Sequence, residues 1–342
     1  MNVYKALRFF AGKVPGPMKL MALAAMLRMR RRMAGIFLDP VLACNLRCRM
    51  CYFSDPERRA AMRGVISEER LSQIEKALYP VALKLQIGCG AEPTLSPMLP
   101  RIVRGARRYG VPNISLVTNG QLLAGDRIDL DALVQDGLGE LILSLHGTRK
   151  ETYEYLMDGA HWENFRALAR RIARVKERHP EFSLRVNFTV NSLNIDDLAG
   201  SRFWDIWEPG AGPDTVQLRP VQKIGESAWN DFDLAPLKEK YADTIGAVVA
   251  ECRRRGITVI APTLQQLDAV DDMQDAISAE VEDLTYCYVS PDGCYKPDFD
   301  PEKESFAAYH KRKHTVRRLL AHAFSTRSRR RNRTKKLNYK IS

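Results

Sequence analysis

The sequence predicts an α/β fold built from parallel strands and the helices that connect them. Three observations support this class: six short apolar runs typical of strands, helical stretches between them, and polar or cysteine residues at the ends of several strands. A chain of 342 residues is long enough to bury one large core or two smaller ones. We therefore expect functional groups at the carboxyl ends of the strands.

The predicted elements alternate along the chain. The six strands are predicted at residues 36–43, 82–88, 114–118, 138–145, 182–190 and 215–220. The main helices between them are predicted at residues 67–78, 98–109, 129–134 and 162–178. Ser67 precedes two glutamates, which is typical of a helix start because serine caps the first turn and acidic residues favour it.

A cysteine cluster follows the first predicted strand. Cys44, Cys48 and Cys51 are three of the seven cysteines and lie within one short loop, which indicates ligands rather than packing. A tetrahedral zinc site needs four ligands, and no second cysteine or histidine pair lies nearby in the sequence. A disulfide would leave an odd cysteine. Three thiolates on one loop suit an iron–sulfur cluster with one iron left unligated by the protein.

The spacing of Cys44, Cys48 and Cys51 resembles the CxxxCxxC signature of the radical SAM superfamily, and the resemblance extends over about residues 35–222. It implies a partial (β/α)6 barrel and a [4Fe–4S] cluster whose fourth iron binds S-adenosylmethionine (SAM). It further implies cleavage of SAM to a 5′-deoxyadenosyl radical that abstracts a hydrogen atom from a substrate. Met50 replaces the aromatic residue usual in the family, but methionine can also pack against an adenine.

A second stretch supports the resemblance. Gly88, Gly90 and Glu92 follow the second predicted strand and are similar to the GGEP motif of the family, which binds the amino group of SAM. Ala91 stands where that motif has its second glycine. Glycines let the backbone approach a ligand closely, and a carboxylate offers a charge-assisted hydrogen bond to an ammonium group.

Polar residues at the ends of later strands complete the expected site. The resemblance assigns five of them to cofactor binding: Asn119, Ser144, His146, Asn191 and Arg219. Structural hydrogen bonding is the competing interpretation for a lone polar residue in an apolar strand. The sequence assigns no residue to catalysis.

Two later cysteines leave an alternative open. Cys287 and Cys294 lie in a segment similar to the start of the SPASM or Twitch extension, in which cysteines hold an auxiliary cluster. Asp298 stands where a further cysteine is expected, and no CxxC follows. Either this segment is a degenerate extension that shapes the pocket, or Cys287, Cys294 and a non-thiolate ligand hold a second cluster.

The two ends of the chain are basic and its middle is acidic. Residues 1–34 carry eight of the 53 lysines and arginines, residues 305–342 carry thirteen, and neither segment contains an acidic residue. The net charge of +12 therefore conceals an acidic body. Basic ends indicate contact with a polyanion. An anionic membrane is favoured over nucleic acid, because the tail lacks the closely interleaved aromatic residues that stack on bases.

We therefore expect four segments. Residues 1–34 form a basic N-terminal helical segment, residues 35–222 the core barrel, residues 223–304 a small α+β extension, and residues 305–342 a basic tail. With no apolar run long enough to span a bilayer and no secretory signal, we expect a cytoplasmic protein that can contact the inner membrane surface.

The expected function is that of a radical SAM enzyme, an oxidoreductase, transferase or isomerase related to the SPASM/Twitch branch. Its substrate is expected to be a small molecule or lipid-linked, such as a lipid or sugar of envelope metabolism, and its electron donor a flavodoxin or ferredoxin. Two alternatives remain: an enzyme that modifies a peptide or RNA, and a non-catalytic iron–sulfur redox or scaffold protein.

Overall fold

Nine strands form one sheet in the part of the chain that the structure, a computed structural model, describes: residues 14–221, 235–261 and 276–324. The strands are β1 (Ala34–Leu38), β2 (Ala82–Ile87), β3 (Asn113–Thr118), β4 (Glu140–Ser144), β5 (Ser183–Val190), β6 (Thr215–Pro220), β7 (Thr258–Ile260), β8 (Tyr286–Ser290) and β9 (Gly293–Cys294). Their order is β7-β6-β5-β4-β3-β2-β1-β8-β9. All neighbours are parallel except β8 and β9.

The helices of the described residues lie between these strands and at both ends. They are α1 (Gly16–Arg28), α2 (Pro56–Ala61), α3 (Glu68–Leu78), α4 (Leu99–Arg108), α5 (Leu130–Gln135), α6 (Lys150–Leu156), α7 (Trp162–Arg178), α8 (Arg202–Asp205), α9 (Ala235–Arg254), α10 (Ala276–Thr285), α11 (Phe306–Arg312) and α12 (Thr315–Ala323). Ser67 caps α3 as expected, because its side chain accepts a hydrogen bond from the Arg70 amide. No helix in these ranges is both long and apolar enough to cross a membrane.

The α/β class with a parallel sheet is confirmed, and the six predicted strands are β1 to β6. The first strand ends at Leu38 rather than at residue 43. Pro40 explains this end, because proline has no amide hydrogen to donate to a strand ladder. The chain then enters the cysteine loop.

Segments outside the predicted barrel extend its sheet on both sides. Strand β7 pairs with β6, and β8 pairs with β1, so that Cys287 lies opposite Ile36. The N-terminal helix α1 packs against α10 and α12 through its buried residues, which include Leu20 and Leu23. The four segment boundaries remain predictions. Parts of the extension and of both basic ends (residues 1–13, 222–234, 262–275 and 325–342) lie outside the described residues.

The two faces of the sheet differ in polarity. Along β5, Leu184, Val186 and Phe188 are buried, whereas Arg185 and Asn187 between them are partly exposed. This alternation is the two-residue period of a strand. The register of the neighbouring strands places further polar residues on the same face as Arg185 and Asn187. They are Lys84, Gln86, Ser115, Glu140, Ser144, Gln217 and Arg219.

Candidate functional site

The loop of Cys44, Cys48 and Cys51 follows β1 at the carboxyl edge of the sheet. The three residues are partly exposed as a whole, whereas their thiol groups are largely buried. Backbone hydrogen bonds hold the loop against the end of α6: the Arg47 amide donates to the Asp158 carbonyl at 2.8 Å, and the Arg49 amide donates to the Leu156 carbonyl at 2.9 Å. The loop conformation is therefore supported by backbone contacts on both sides of Cys48.

Burial makes the three thiols hard to ionise. It raises the pKa of Cys44 to about 12, and it raises the pKa values of Cys48 and Cys51 above their usual range. The charges of the neighbouring thiolates add to this effect at Cys44 and Cys48, which indicates that the three groups lie close together. A bound cation would favour the thiolate over the thiol form, because metal-bound thiols are deprotonated.

No three cysteine, histidine or acidic side chains among the described residues converge on a point where they could hold a single metal ion. Such convergence on one point is what a site for a single metal ion requires. An iron–sulfur cluster places each cysteine on a different iron atom, so its thiolates need not converge on one point. The arrangement of Cys44, Cys48 and Cys51 is compatible with that second kind of centre.

Glu92 is buried beside this loop and links β2 to β3. Its Oε1 accepts hydrogen bonds from the Thr94 amide at 3.1 Å and from the Thr118 hydroxyl at 2.7 Å, and its Oε2 accepts from the Asn119 amide at 2.9 Å. The Glu92 amide in turn donates to the Ala43 carbonyl at 2.9 Å, next to Cys44. Burial raises the pKa of Glu92, and the hydrogen bonds oppose this shift.

Asn119 completes the contact with the cysteine loop. Its Nδ2 donates to Asn45 Oδ1 at 2.9 Å and lies 3.9 Å from Cys44 Sγ, while its Oδ1 accepts from the Gln121 amide. The structure therefore brings Glu92, Asn119 and Cys44 together, as the positions of the motifs at neighbouring strand ends suggested.

Gly88 and Gly90 line the same edge and have little room for a side chain. Gly88 has a φ of 88°, and a Cβ there would lie 2.5 Å from the Val117 carbonyl oxygen. A Cβ on Gly90 would lie 2.7 Å from the Tyr52 hydroxyl, which donates to the Gly90 carbonyl. At Gly88 the positive φ and the backbone oxygen favour glycine, whereas at Gly90 a Cβ would require the Tyr52 hydroxyl to move.

Asp39 is a member of this site that the sequence argument missed. Its carboxylate accepts hydrogen bonds from the amides of Cys89 at 2.6 Å and Gly90 at 3.0 Å, so it holds the glycine loop from the end of β1. Burial raises its pKa to about 6, and these backbone donors oppose the shift. Its place directly after a strand and before Pro40 was the available signal.

The remaining predicted residues lie on β4 to β6 or directly after them, three to five strands away from β1. His146 Nδ1 accepts from the Thr189 amide at 3.1 Å, and burial lowers the pKa of His146 to about 4, so the ring is neutral and carries its proton on Nε2. Asn191 is fully buried and accepts from the Leu193 amide at 2.9 Å. Ser144 lies opposite Asn187.

The polar face beside these residues carries one hydrogen-bonded pair and one hydrogen-bonded group of three residues. Arg185 donates to Glu140 at 2.6 Å, and one carboxylate oxygen of Glu140 is buried without a partner among the described residues. With the amide of Gln217 oriented to satisfy its neighbours, its nitrogen donates to Asn187 at 3.0 Å and its oxygen accepts from Arg219 at 2.8 Å. The Gln217 amide thus connects Arg219 on β6 with Asn187 on β5.

Cys287 and Cys294 lie apart from this site, on the hairpin formed by β8 and β9. Their sulfur atoms are 3.4 Å apart. Among the described residues, no third cysteine, histidine or acidic side chain joins them as a potential metal ligand.

Comparisons with known proteins agree with this site. Residues 39–193 match the family model of the radical SAM superfamily. The chain is 30% identical over 159 residues to a GTP 3′,8-cyclase of Chlorobaculum tepidum, covering 46% of this chain and 45% of that protein. It is 31% identical over 209 residues to a probable GTP 3′,8-cyclase of Saccharolobus solfataricus, covering 59% and 62%. The chain thus spans about half the length of these relatives.

The fold has similar solved counterparts. The structure of Streptococcus suis SuiB bound to S-adenosylmethionine matches with a TM-score of 0.57 at 14% identity, over 84% of this chain and 68% of that one. This likeness concerns the fold alone. The family match includes the whole cysteine loop and Glu92, so this part of the chain is similar to radical SAM enzymes.

Proposed function

We propose that this chain is a radical SAM enzyme that acts on a polar substrate at the carboxyl edge of its parallel sheet. The observation that carries the proposal is the loop of Cys44, Cys48 and Cys51, which lies beside the buried carboxylate of Glu92 and the side chain of Asn119. The cofactors of this family are a [4Fe–4S] cluster and SAM, and the residues present fit both.

The three thiols fit the cluster because they need a cation to become thiolates. Cys44, Cys48 and Cys51 would each hold one iron, and the backbone contacts of the loop would keep them in position. When bound, the cluster and SAM supply one-electron cleavage of the sulfonium and a carbon radical that can abstract a hydrogen atom.

The amino-acid end of SAM would lie along Gly88, Gly90, Glu92 and Asn119. Glu92 Oε2 accepts one protein donor, the Asn119 amide, and a carboxylate oxygen can accept another, such as an ammonium hydrogen. Gly88 and Gly90 would let the backbone approach the ligand, while Asp39 holds their loop in place.

The other end of SAM would meet Ser144, His146, Asn191 and Arg219. His146 offers an Nε2 hydrogen, because its Nδ1 is already an acceptor. The Nδ2 group of Asn191 is buried without a partner among the described residues, so it is available to a bound ligand after a small rearrangement. Arg219 would attract a carboxylate.

The polar face supports a hydroxylated or anionic substrate group. Lys84, Arg185 and Arg219 supply positive charge there, and Glu140 supplies a carboxylate oxygen. Partly exposed aromatic rings lie beside Lys84: the rings of Phe37 and Tyr288 stack with centroids 4.5 Å apart. Such a surface fits a sugar or the head group of a lipid.

The direct test is anaerobic reconstitution, chemical reduction and incubation with SAM. We expect 5′-deoxyadenosine to form with the wild-type chain and not with a Cys44→Ala/Cys48→Ala/Cys51→Ala variant. A Cys252→Ala variant is the matched control, because Cys252 is a buried core residue on α9. Equal product from the triple variant and the wild type would refute the enzyme proposal.

An anionic membrane surface is the proposed location of this activity. Helix α1 and its C-cap Met29 expose an apolar stripe of residues at helical spacing: Met18, Met21, Ala22, Ala25 and Met29. Its partner helix α12 adds exposed Leu320, and Phe324 follows it with 75% of its surface accessible.

Positive charge surrounds this apolar stripe. The exposed arginines near it are Arg28, Arg30, Arg31, Arg317 and Arg318. Residues 325–342, which lie outside the described residues, add eight lysines or arginines in sequence. Each basic residue near an anionic leaflet contributes about 1 kcal/mol, so apolar contact and charge together favour a peripheral membrane position and a lipid-linked substrate.

Co-sedimentation with phosphatidylglycerol vesicles tests this location. We expect binding that weakens with salt and that falls in a Met21→Glu/Phe324→Glu variant and in a chain ending at residue 324. Val65→Glu is the control, because Val65 is an exposed apolar residue outside the stripe. Truncation at residue 304 is unsuitable, since Phe306 and Leu319 are buried in the core. Unchanged binding by both stripe and tail variants would contradict the proposal.

A purine nucleotide is a second candidate substrate. The identity of about 30% with GTP 3′,8-cyclases favours it, and the cations of the polar face suit phosphate groups. Anaerobic incubation with GTP and SAM would reveal SAM-dependent loss of GTP. ATP serves as the control nucleotide, and undiminished GTP would exclude this candidate.

A further inference from the structure

A pair of thiols lies on the hairpin of β8 and β9, outside the proposed catalytic site. Val289 is the in-register partner of Cys294, so Cys287, two residues before Val289, is its diagonal neighbour on the same face. The two sulfur atoms are 3.4 Å apart and both thiols are free. The separation is a contact distance from which side-chain rotation can bring the sulfurs to bonding distance.

The two thiols differ in access. Cys287 is fully buried, whereas Cys294 is partly exposed and lines a cavity of about 1030 Å³. The cavity wall is of mixed charge, with Lys303 and Arg312 beside Asp298 and Glu304. A reagent from solution can therefore reach Cys294 but not Cys287, and a small zwitterionic molecule suits the wall.

The two thiols also differ in acidity, in the direction that exchange chemistry needs. A hydrogen bond from Cys287 lowers the pKa of Cys294, with help from the ammonium of Lys296, while the same bond and burial raise the pKa of Cys287. Lys296 is 5% exposed and is held by the carbonyls of Asp283 and Tyr286. The accessible thiol is thus the one that ionises first.

We propose that Cys294 and Cys287 form a thiol–disulfide exchange site for a low-molecular-weight disulfide, with Cys294 as the attacking thiolate and Cys287 as the resolving thiol. Cys294 attacks one sulfur of the disulfide, forms a mixed disulfide and releases one thiolate. Cys287 then attacks the Cys294 sulfur, forms the intramolecular disulfide and releases the second thiol after its proton is transferred. The chain loses two electrons and two protons, and the small disulfide becomes two thiols.

The product would cross-link the hairpin beside the strand that leads to the cysteine loop. Cys287 lies opposite Ile36 of β1, and the Asp39 amide donates to the Val289 carbonyl at 2.9 Å. The exchange site is therefore joined to the start of the loop by one strand pair. Its chemistry does not depend on the proposed SAM reaction.

Mass spectrometry on the reconstituted full chain tests the proposal. The protein is equilibrated anaerobically with glutathione buffers of increasing disulfide content, quenched with acid, alkylated and digested with trypsin. Residues 256–303 form one tryptic peptide, because Pro297 blocks cleavage after Lys296, and it contains Cys287 and Cys294 but none of the other five cysteines. We expect this peptide to lose two hydrogens and to escape alkylation in the oxidising buffers.

Single variants distinguish the two roles. Cys287→Ser should accumulate a glutathione adduct on Cys294, because the resolving thiol is gone. Cys294→Ser cannot form the intramolecular disulfide, and its buried Cys287 should form a glutathione adduct at least about tenfold more slowly than Cys294 does in Cys287→Ser. Cys252 of the wild-type chain is the internal control and should remain reduced, since it is fully buried.

Three results would overturn the exchange site. The first is a peptide that stays reduced in the most oxidising buffer. The second is faster formation of a glutathione adduct on Cys287 in Cys294→Ser than on Cys294 in Cys287→Ser. The third is a lower iron content in the Cys294→Ser variant, which would make this thiol a cluster ligand instead. Circular dichroism of each variant establishes that the fold is retained.

Discussion

The cysteine loop after β1 and the hairpin of β8 and β9 place their thiols in different surroundings. Burial raises the pKa of Cys44, and the charges of Glu92 and Cys51 raise it further, while the Asn119 amide nitrogen lies 3.9 Å from its sulfur. Cys294 instead contacts a second thiol and lies near the ammonium of Lys296. The first environment requires an external cation, whereas the second already contains one.

This difference separates two uses of cysteine in one chain. A site whose thiols become thiolates only with bound metal suits a cofactor, and a site whose accessible thiol is already acidic suits exchange chemistry. The side chains that hydrogen-bond to the backbone at the two sites also differ in charge. Asp39 and Glu92 accept backbone amides around the loop, whereas Lys296 donates to backbone carbonyls beside the hairpin.

The largest expected effect distinguishes the two regions by their iron. Cys48→Ala should abolish cluster binding, because it removes one of three ligands, while Cys294→Ala should leave about four irons per chain. Iron and protein assays after anaerobic reconstitution measure both. A content of about eight irons in the wild type, or a loss in Cys294→Ala, would break the comparison by making the hairpin a second cluster site.

The next effect concerns the carboxylate that supports the loop. Glu92→Gln should weaken SAM binding by about 10–100-fold. The glutamine amide is neutral, and its NH2 group would face a hydrogen-bond donor, either the Thr118 hydroxyl or the Asn119 amide, instead of accepting from it. Anaerobic calorimetry measures the affinity. Glu75→Gln is the matched control: Glu75 is equally buried but pairs with Arg101 and Arg108, so its loss should lower stability without changing SAM affinity.

One glycine in each region allows the backbone packing of the two regions to be compared. Gly88→Ala should reduce the free energy of unfolding by about 1–3 kcal/mol, because φ is positive and the Val117 carbonyl oxygen is too close. Gly293→Ala in the hairpin should change it by less than about 0.5 kcal/mol, since nothing lies within 4 Å of an added Cβ. Urea unfolding followed by circular dichroism measures both, and equal losses would contradict the difference in packing.

The smallest effect is a pH dependence of the loop region. Because the pKa of Asp39 is raised to about 6 from 3.8, the folded chain takes up a proton at a pH where the unfolded chain does not. Stability should therefore rise by about 1 kcal/mol from pH 7 to pH 5 through this group. Buried His146, whose pKa is lowered to about 4, acts in the opposite direction, so the Asp39 contribution is measured as a difference. Without the cluster, in the Cys44→Ala/Cys48→Ala/Cys51→Ala background, the change in unfolding free energy from pH 7 to pH 5 should be about 1 kcal/mol more favourable with Asp39 than with Asp39→Asn.

Asp298→Asn is the control for the hairpin region. Lys313 lowers the pKa of Asp298, so this carboxylate keeps its charge over the same pH range and its replacement should leave the slope unchanged. An unchanged slope in Asp39→Asn would show that another group causes the pH dependence.

Local sequence patterns predicted the elements that depend on neighbouring residues. The strand predicted at residues 182–190 and the Ser67 cap of α3 are local features, and both are present in the structure. The cysteine loop was likewise predicted from the sequence, because Cys44, Cys48 and Cys51 lie within one short segment. Contacts between distant segments had no such signal: the hydrogen bonds that the Cys89 and Gly90 amides donate to Asp39 join two strand ends.

The sequence by itself determined the alternating α/β class, the cysteine spacing and the glycine–glutamate stretch, because each is encoded within a few residues. Only the tertiary structure decided that β8 pairs with β1, that Thr118 and Asn119 donate to Glu92, and that Cys287 touches Cys294. Strand pairing and hairpin register depend on burial and hydrogen bonding between segments, and these are properties of the folded chain.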